Sequence, residues 1–120
     1  MKKLSPPELD ALEARLQHRI PAPYRRLLTD TGAGEHGDVQ VYHPLEIEAA
    51  YQHHFEEPDE LFNTYFPFGC NQRSKEIWLI RVADGRAAAI WYETHPESYP
   101  DERWLDWAQW LAEHGQGLPD

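Results

Sequence analysis

The stretch Tyr65–His95, YFPFGCNQRSKEIWLIRVADGRAAAIWYETH, decides the fold of this chain of 120 residues. Glu76–Val82 carries apolar side chains on both of its faces, which is typical of a central strand that is covered above and below. Asp84-Gly85 separates it from a second strand-like run, Ala87–Glu93. Because Gly85 supplies the positive φ that a type I′ turn needs, the two runs are predicted to form a hairpin.

Phe66–Cys70 lies just upstream of this hairpin and is predicted to be an edge strand. Pro67 has no N–H to donate to a strand ladder, and proline inside a sheet is mostly confined to edges. Strands joined by hairpins run antiparallel. The sequence therefore predicts a small, mainly antiparallel sheet.

The N-terminal helix has strong local signals. Ser5 is the expected N-cap, Pro6 suits the first helical position, and Glu8 completes a Ser-x-x-Glu capping box. The helix is expected to end before Pro21, because the residue that precedes a proline is driven out of the helical region.

The rest of the chain is predicted from hydrophobic periodicity and from turn residues. In chain order, the predicted elements are a helix from Ala22 or Pro23 to Asp30, a mobile glycine-rich loop at Gly32–Asp38, a strand at Val39–Tyr42, a short helix at Ile47–His54 and a last helix at about Glu102–His114. The sum is an α+β fold in the order ααβαβββα, a small antiparallel sheet flanked by helices. We expect a single domain over residues 1–120, with residues 115–120 as a frayed tail.

The charge balance bears on the class of partner. The chain has 21 acidic and 11 basic residues and a formal net charge of −10. Nucleic acids and anionic membranes are bound through Lys and Arg, so this balance argues against both. It suits a cationic protein, whose approach it would steer, although solubility alone is an equally good explanation.

The single cysteine, Cys70, excludes an internal disulfide and fits a reducing compartment. The N-terminus lacks the apolar region of a signal peptide, and no apolar run is long enough to span a bilayer. We therefore expect a cytoplasmic protein.

No constellation of catalytic or metal-binding residues emerges from the sequence. Gly32–Gly37 reads G-x-G-x-x-G but follows a helix instead of a strand, which is the wrong context for a dinucleotide. The histidines lack metal-ligand spacing, because the adjacent His53 and His54 diverge by about 100° around a helix. Cys70 is interpreted as a small buried hydrophobe, with a nucleophile as the less favoured alternative. We expect no metal, no cofactor and no enzymatic activity.

Two acidic loops are the best candidates for a binding surface. They are usually only a solvated face, but on a small acidic protein without catalytic groups they suit docking to a cationic partner. The acidic candidates are Glu56, Glu57, Asp59, Glu60, Glu97, Asp101 and Glu102.

Two aromatic side chains, Tyr99 and Trp110, are the candidate contact residues beside these loops. Helical spacing places Trp104 and Trp107 on one stripe of the last helix, which faces the sheet. Trp110 lies about 60° around the helix from that stripe. Trp110 is therefore the tryptophan of the last helix that is expected to be exposed, and Trp is enriched at interface hot spots.

A series of short motifs resembles the SUKH superfamily of the Smi/Knr type. Ile20–Leu28 (IPAPYRRLL) with Thr31–Gly34 (TGAG) is similar to the family's opening pattern, L-P-x-x-Y-x-x-F-L followed by x-N-G-G. The similarity continues at Pro44–Ile47, at Phe66–Gly69 and in the closing helix, where Trp104-Leu105 takes the place of F-x-x-F-L. The series covers nearly the whole chain.

The chain departs from the family pattern at two points. Thr31 replaces the usual Asn before the glycines, and Cys70-Asn71 replaces the common Gly/Asp-rich step after Phe68-Gly69. These departures affect loops and leave the expected fold unchanged. Phe68 and Gly69 carry over only as structural positions, because the family has no single shared interface.

The resemblance implies an α+β domain without known catalytic residues. Bacterial members are mostly immunity proteins encoded beside toxins, and a fungal branch regulates cell-wall synthesis through protein contacts. We therefore expect an immunity protein, a monomer or weak homodimer, that binds a cognate toxin such as a basic nuclease. The alternative is a regulatory scaffold acting on an endogenous partner, and a hydrolase that uses Cys70 ranks third.

Overall fold

A computed structural model describes residues 1–119 and shows an α+β fold. Its helices and strands, in chain order, are α1 (Pro6–Leu16), α2 (Ala22–Asp30), β1 (Gly34–His36), β2 (Val39–Val41), α3 (Ile47–Tyr51), α4 (Glu60–Asn63), β3 (Tyr65–Asn71), β4 (Glu76–Arg81), β5 (Ala87–Trp91) and α5 (Trp107–His114). Short 3₁₀ turns occur at Pro44–Glu46, Pro96–Ser98, Asp101–Arg103 and Gly115–Gly117. The predicted fold class is confirmed. No helix within residues 1–119 is long and apolar enough to cross a membrane.

The five strands form one sheet in the order β1-β2-β3-β4-β5, with every neighbouring pair antiparallel. The register places Ile77 of β4 between Cys70 of β3 and Ile90 of β5. The β4 residues Ile77–Ile80 are all buried, as expected for a strand covered on both faces.

The prediction that Phe66–Cys70 forms an edge strand is wrong. β3 lies between β2 and β4, with a bulge between Pro67 and Gly69. β2 pairs only with Gly69–Asn71, so Pro67 lies before the β2 ladder begins. Its missing N–H therefore breaks no bond to β2, which is why a proline is tolerated in a central strand.

Residues 32–38 are more ordered than the mobile loop that was expected. Gly34–His36 forms β1 and pairs with β2 across a two-residue turn, Gly37-Asp38, in which Gly37 has a φ of +60°. Gly32 also has a positive φ, +101°, and a Cβ there would lie 2.5 Å from the carbonyl carbon of Lys2. The glycines thus serve a turn and a close backbone approach.

The β4–β5 hairpin forms as predicted, but its turn differs from the expected type. Residues 82–86 separate the strands, and Gly85 has a φ of +72° whereas Asp84 has no positive φ. A type I′ turn needs two residues with positive φ, so this is a longer loop. Asp84 closes it, because its carboxylate accepts a hydrogen bond from the Arg86 N–H at 3.1 Å.

α1 begins as predicted. The Ser5 hydroxyl accepts from the Glu8 N–H at 3.4 Å, and the Glu8 carboxylate accepts from the Ser5 N–H at 3.2 Å. α5, in contrast, begins at Trp107 and not at Glu102. Asp106 is its N-cap and accepts from the Gln109 N–H at 2.9 Å.

The core lies on both faces of the sheet. α5 packs on one face through Trp110, whose ring centroid is 4.9 Å from that of Trp78 in β4. On the opposite face, Tyr65 of β3 stacks at 5.7 Å on Trp104 and at 5.8 Å on Phe55. The segments that carry the acidic residues are attached to this second face.

The tail after α5 also makes contacts. Gly115–Gly117 forms a 3₁₀ turn, and Leu118 packs against the core, where a frayed tail was expected. Asp120 lies outside the described residues.

Candidate protein-binding surface

Residues from the two predicted acidic loops meet in space. Glu56, Glu57 and Glu60 come from the segment before and at the start of α4, and Glu97 comes from the loop after β5. Together with His95 and Pro96 they line a depression of about 200 Å³, here called the acidic depression. The structure thus brings together four of the seven acidic candidates.

Buried aromatic residues hold the two segments in place. Phe55, next to Glu56, and Tyr99, two residues after Glu97, are both buried. Their rings lie 5.8 Å and 5.2 Å from the ring of Tyr65 in β3. Because both segments pack on the same strand residue, glutamates that are distant in sequence become neighbours.

Glu60 is partly covered and lies close to the other glutamates of the depression. Burial raises the pKa of its carboxyl, and Glu57, Glu56 and Glu97 raise that pKa further through like-charge repulsion. The side chain is half-exposed, but its Oε2 atom is covered and has no hydrogen-bond partner among residues 1–119. A cation placed in the depression would relieve this repulsion.

The imidazole of His95 approaches a glutamate at the edge of the depression. His95 Nδ1 lies 3.7 Å from Glu56 Oε1, and both side chains are largely exposed. An exposed ion pair of this kind contributes little to the stability of the fold. His54, behind it, has its pKa lowered by burial and then by His95, which favours the neutral ring.

Three acidic candidates lie outside the acidic depression. Asp59 lines a separate cleft of about 390 Å³ together with Leu61 and Phe62. Asp101 and Glu102 are exposed on a 3₁₀ turn that follows Pro100. They belong to the wider acidic surface but not to its concave centre.

The expectation that Trp110 is exposed is wrong: its exposed fraction is 0%. The prediction assumed a helix from Glu102 whose inner face held Trp104 and Trp107. Because α5 begins only at Trp107, Trp104 lies outside the helix and reaches the core from irregular backbone. Within α5, the inward face centres on Trp110. Trp110 is therefore a core residue, not a surface contact.

Tyr99 is also unsuited to be a surface contact, because only 9% of it is exposed. Its hydroxyl lies 3.5 Å from His54 Nε2. Burial raises its pKa, and so do Tyr65 and Glu60, so the hydroxyl stays protonated. Tyr99 supports the acidic depression from below.

Two exposed aromatic residues escaped the sequence-based candidates. Trp91 ends β5 with 52% of its surface exposed, and Tyr92 follows it with 44% exposed. Both lie within the predicted strand Ala87–Glu93, and sequence analysis did not recognise that the side chains at its end would be uncovered. The available signal was Glu93-Thr94 directly after them, a polar pair that marks the end of the strand.

Cys70 is half-buried rather than fully buried, and its Sγ lies 3.9 Å from Gln40 Oε1. Burial raises the pKa of its thiol, which disfavours the reactive thiolate. Over residues 1–119, no three His, Cys, Asp or Glu side chains are grouped so that they could hold a metal ion.

Comparison with known protein families identifies the family of this chain. The family model for the SMI1/KNR4 family (SUKH-1) matches residues 3–113. A search of curated proteins found no significant match. The family match covers the sheet, the acidic depression and nearly all of α5. The chain therefore belongs to the SMI1/KNR4 family (SUKH-1).

Proposed function

We propose that this chain is a cytoplasmic immunity protein that neutralises a cognate toxin by binding it, without catalysis. The observation that supports this most strongly is the convergence of Glu56, Glu57, Glu60 and Glu97 in one concave surface. Family membership fits such a role. The toxin partner would be a basic protein, such as a nuclease whose active site normally receives an anionic substrate.

The acidic depression supplies a physical mechanism for recognition. Burial raises the pKa of Glu60, and so does repulsion from the neighbouring glutamates; this repulsion is present in the free protein and would be relieved by Lys or Arg side chains of the toxin. The net charge of −10 would accelerate encounter with a cationic surface, and salt would screen this attraction. Occupying the cationic site of a nuclease would block its substrate directly.

The second candidate is a regulatory scaffold that binds an endogenous protein. The match to the SMI1/KNR4 family favours it, because regulators of that type also act through protein contacts. Gene neighbourhood distinguishes the two functions: an adjacent toxin gene favours immunity, and a housekeeping operon favours regulation.

The direct test is titration of the purified chain with the toxin encoded beside it, in low and in high salt. We expect a tight complex that weakens as salt increases. The test variant removes three charges from the acidic depression, and the control removes three exposed charges elsewhere. The test variant is Glu56→Gln, Glu57→Gln and Glu97→Gln, and the control is Glu35→Gln, Asp38→Asn and Glu113→Gln.

The two variants have the same net charge, so long-range steering changes equally in both. We expect the test variant to bind at least about tenfold more weakly than the control, since only its charges are close to the toxin. Equal affinities would contradict the role of the acidic depression. Absence of any complex with the wild-type protein at either salt concentration would end the immunity proposal.

A further inference from the structure

We propose that Trp91 and Tyr92 are the hydrophobic contact residues of the toxin interface and insert into an apolar recess of the cationic partner. This inference rests on the proposed function. It adds a second part to the interface, joined to the acidic depression by the loop of residues 93–96, and assigns to an exposed pair the role that sequence analysis gave to Tyr99 and Trp110.

The exposure of the pair is the first observation. Large hydrophobic side chains that are exposed in residues 1–119 are Met1, Leu45, Val82, Trp91 and Tyr92, and Trp91 has the highest exposed fraction, 52%. Trp91 and Tyr92 are adjacent, with ring centroids 5.9 Å apart. An exposed pair of large aromatic rings is the kind of surface that interface hot spots use.

The backbone presents the two rings rigidly. Trp91 is paired with Glu76 in the β4–β5 ladder, and the Tyr92 N–H donates to the Lys75 carbonyl at 2.9 Å. The Trp91 carbonyl in turn accepts from the Thr94 N–H at 3.0 Å. Little backbone entropy would be lost on binding, because these backbone hydrogen bonds already fix both residues.

The Tyr92 hydroxyl stays available as a polar contact. It donates to Glu93 Oε1 at 3.1 Å, and this hydrogen bond raises the pKa of Tyr92, followed by the negative charge of Glu93. The ring thus combines an apolar face with a protonated hydroxyl and a neighbouring carboxylate. A Lys or Arg of the partner could contact Glu93 while the rings are buried.

The pair and the acidic depression are joined by one short loop. The loop that leaves Trp91 leads directly to His95, Pro96 and Glu97, which line the depression. The six residue steps from Trp91 to Glu97 span at most about 20 Å of extended chain. A standard interface of about 800 Å² per partner is about 30 Å across, so it can cover both.

The partner would contact side chains here and not extend the sheet. Ala87 and Leu105 exchange two backbone hydrogen bonds of 2.9 Å, which closes part of the β5 edge. Ala89, the next residue with outward-facing backbone groups, is buried. Strand addition needs an open ladder, so the exposed rings at the end of the strand are the accessible feature.

Charge identifies the occupant as a cationic protein. Two copies of a chain with net charge −10 repel each other, which disfavours a homodimer through this surface. A basic partner complements the acidic depression, and its Lys or Arg side chains can also pack on the face of Trp91.

The test uses the adjacent toxin as probe and compares Trp91→Ala and Tyr92→Ala with Val82→Ala. Val82 is 43% exposed and lies at the opposite end of the β4–β5 hairpin from Trp91, where its N–H donates to the Thr64 carbonyl, so it controls for the loss of an exposed apolar side chain near the acidic depression. We expect Trp91→Ala to weaken binding about thirtyfold and Tyr92→Ala about tenfold, with Val82→Ala within about twofold of wild type. Circular dichroism and thermal melting verify that each variant is folded.

Hydrogen exchange on the wild-type complex provides a second measurement that needs no variant. We expect new protection at residues 91–97. If the wild-type protein binds the toxin but Trp91→Ala binds within twofold and residues 91–97 gain no protection, this inference fails while the proposed function stands. If the wild-type protein binds no toxin, both fail. A dimer of this chain that depends on Trp91 would overturn the choice of occupant.

Discussion

Replacing Trp110 by alanine separates a core role from a binding role. Trp110 is fully buried, with Trp78, Phe68 and Trp107 at ring distances of 4.9, 5.1 and 5.2 Å. Burying a tryptophan side chain removes about 200 Å² from water, or about 5 kcal/mol at 25 cal/mol per Å². Trp→Ala substitutions in cores cost about 3–5 kcal/mol.

An unpaired polar atom of Trp110 itself reduces the loss of stability that we expect. Trp110 Nε1 is buried and has no hydrogen-bond partner among residues 1–119, and such a group costs about 1–3 kcal/mol when it is buried. Alanine removes this cost together with the ring, so we expect Trp110→Ala to lower the free energy of unfolding by about 3 kcal/mol. For a domain of this size, the Tm should fall by about 10–15 °C.

Chemical denaturation and thermal melting measure the loss of stability, and toxin titration measures binding by the folded fraction. We expect Trp110→Ala to lose stability and keep its affinity per folded molecule. Trp91→Ala removes an exposed ring, so it is expected to keep its stability and to lose affinity for the toxin. A Trp110→Ala protein that is within about 1 kcal/mol of wild type would refute the assignment of Trp110 to the core.

Three further changes test the electrostatics and the packing. Glu60→Gln should raise stability at neutral pH by about 0.5 kcal/mol, because folding raises the pKa of Glu60 and its ionisation therefore destabilises the fold as pH rises through that pKa. The gain should vanish well below the ordinary carboxyl pKa of 4.5, and a gain that persists there in thermal melts would contradict the mechanism. Asp84→Asn should lower stability by less than about 1 kcal/mol, since Arg81 Nε donates to Asp84 at 3.1 Å and lowers its pKa. The difference in stability between wild type and Asp84→Asn should be present above the ordinary carboxyl pKa and should disappear as pH falls through the lowered pKa of Asp84 in the folded protein. Thermal melts of both proteins from pH 7 to pH 2 measure it. A difference that stays constant over this range would argue against the ion pair. Gly69→Ala should lower the free energy of unfolding by about 2–3 kcal/mol in denaturant titrations, because the new Cβ would lie 2.5 Å from the Gln40 carbonyl oxygen. An unchanged midpoint would show that β2 and β3 can separate there at little cost.

The elements that sequence analysis predicted well depend on interactions between near neighbours. The capping box of α1 joins Ser5 to Glu8, three residues apart, and no other part of the chain is needed to specify it. The β4–β5 hairpin and the buried run Ile77–Ile80 follow from alternation of side chains and a turn glycine.

The acidic surface was predicted in part. Sequence analysis found the glutamates of the acidic depression but could not separate them from Asp59, Asp101 and Glu102, because all seven are acidic residues in predicted loops. The separation depends on where Phe55 and Tyr99 pack against Tyr65. Those contacts join residues that are distant in sequence and leave no periodic signal.

Composition and local patterning determined the class of this protein: an acidic α+β domain with a strong first helix and a central hairpin. Tertiary packing alone decided that β3 is a central strand, that Trp110 faces inward and that Trp91 and Tyr92 face solvent. The reason is physical. Capping and turn preferences act within a few residues, whereas burial depends on which surfaces other segments cover. Because Trp104 lies outside α5, the helical stripe that was expected to join it to Trp107 does not exist and could not predict which face of α5 is buried.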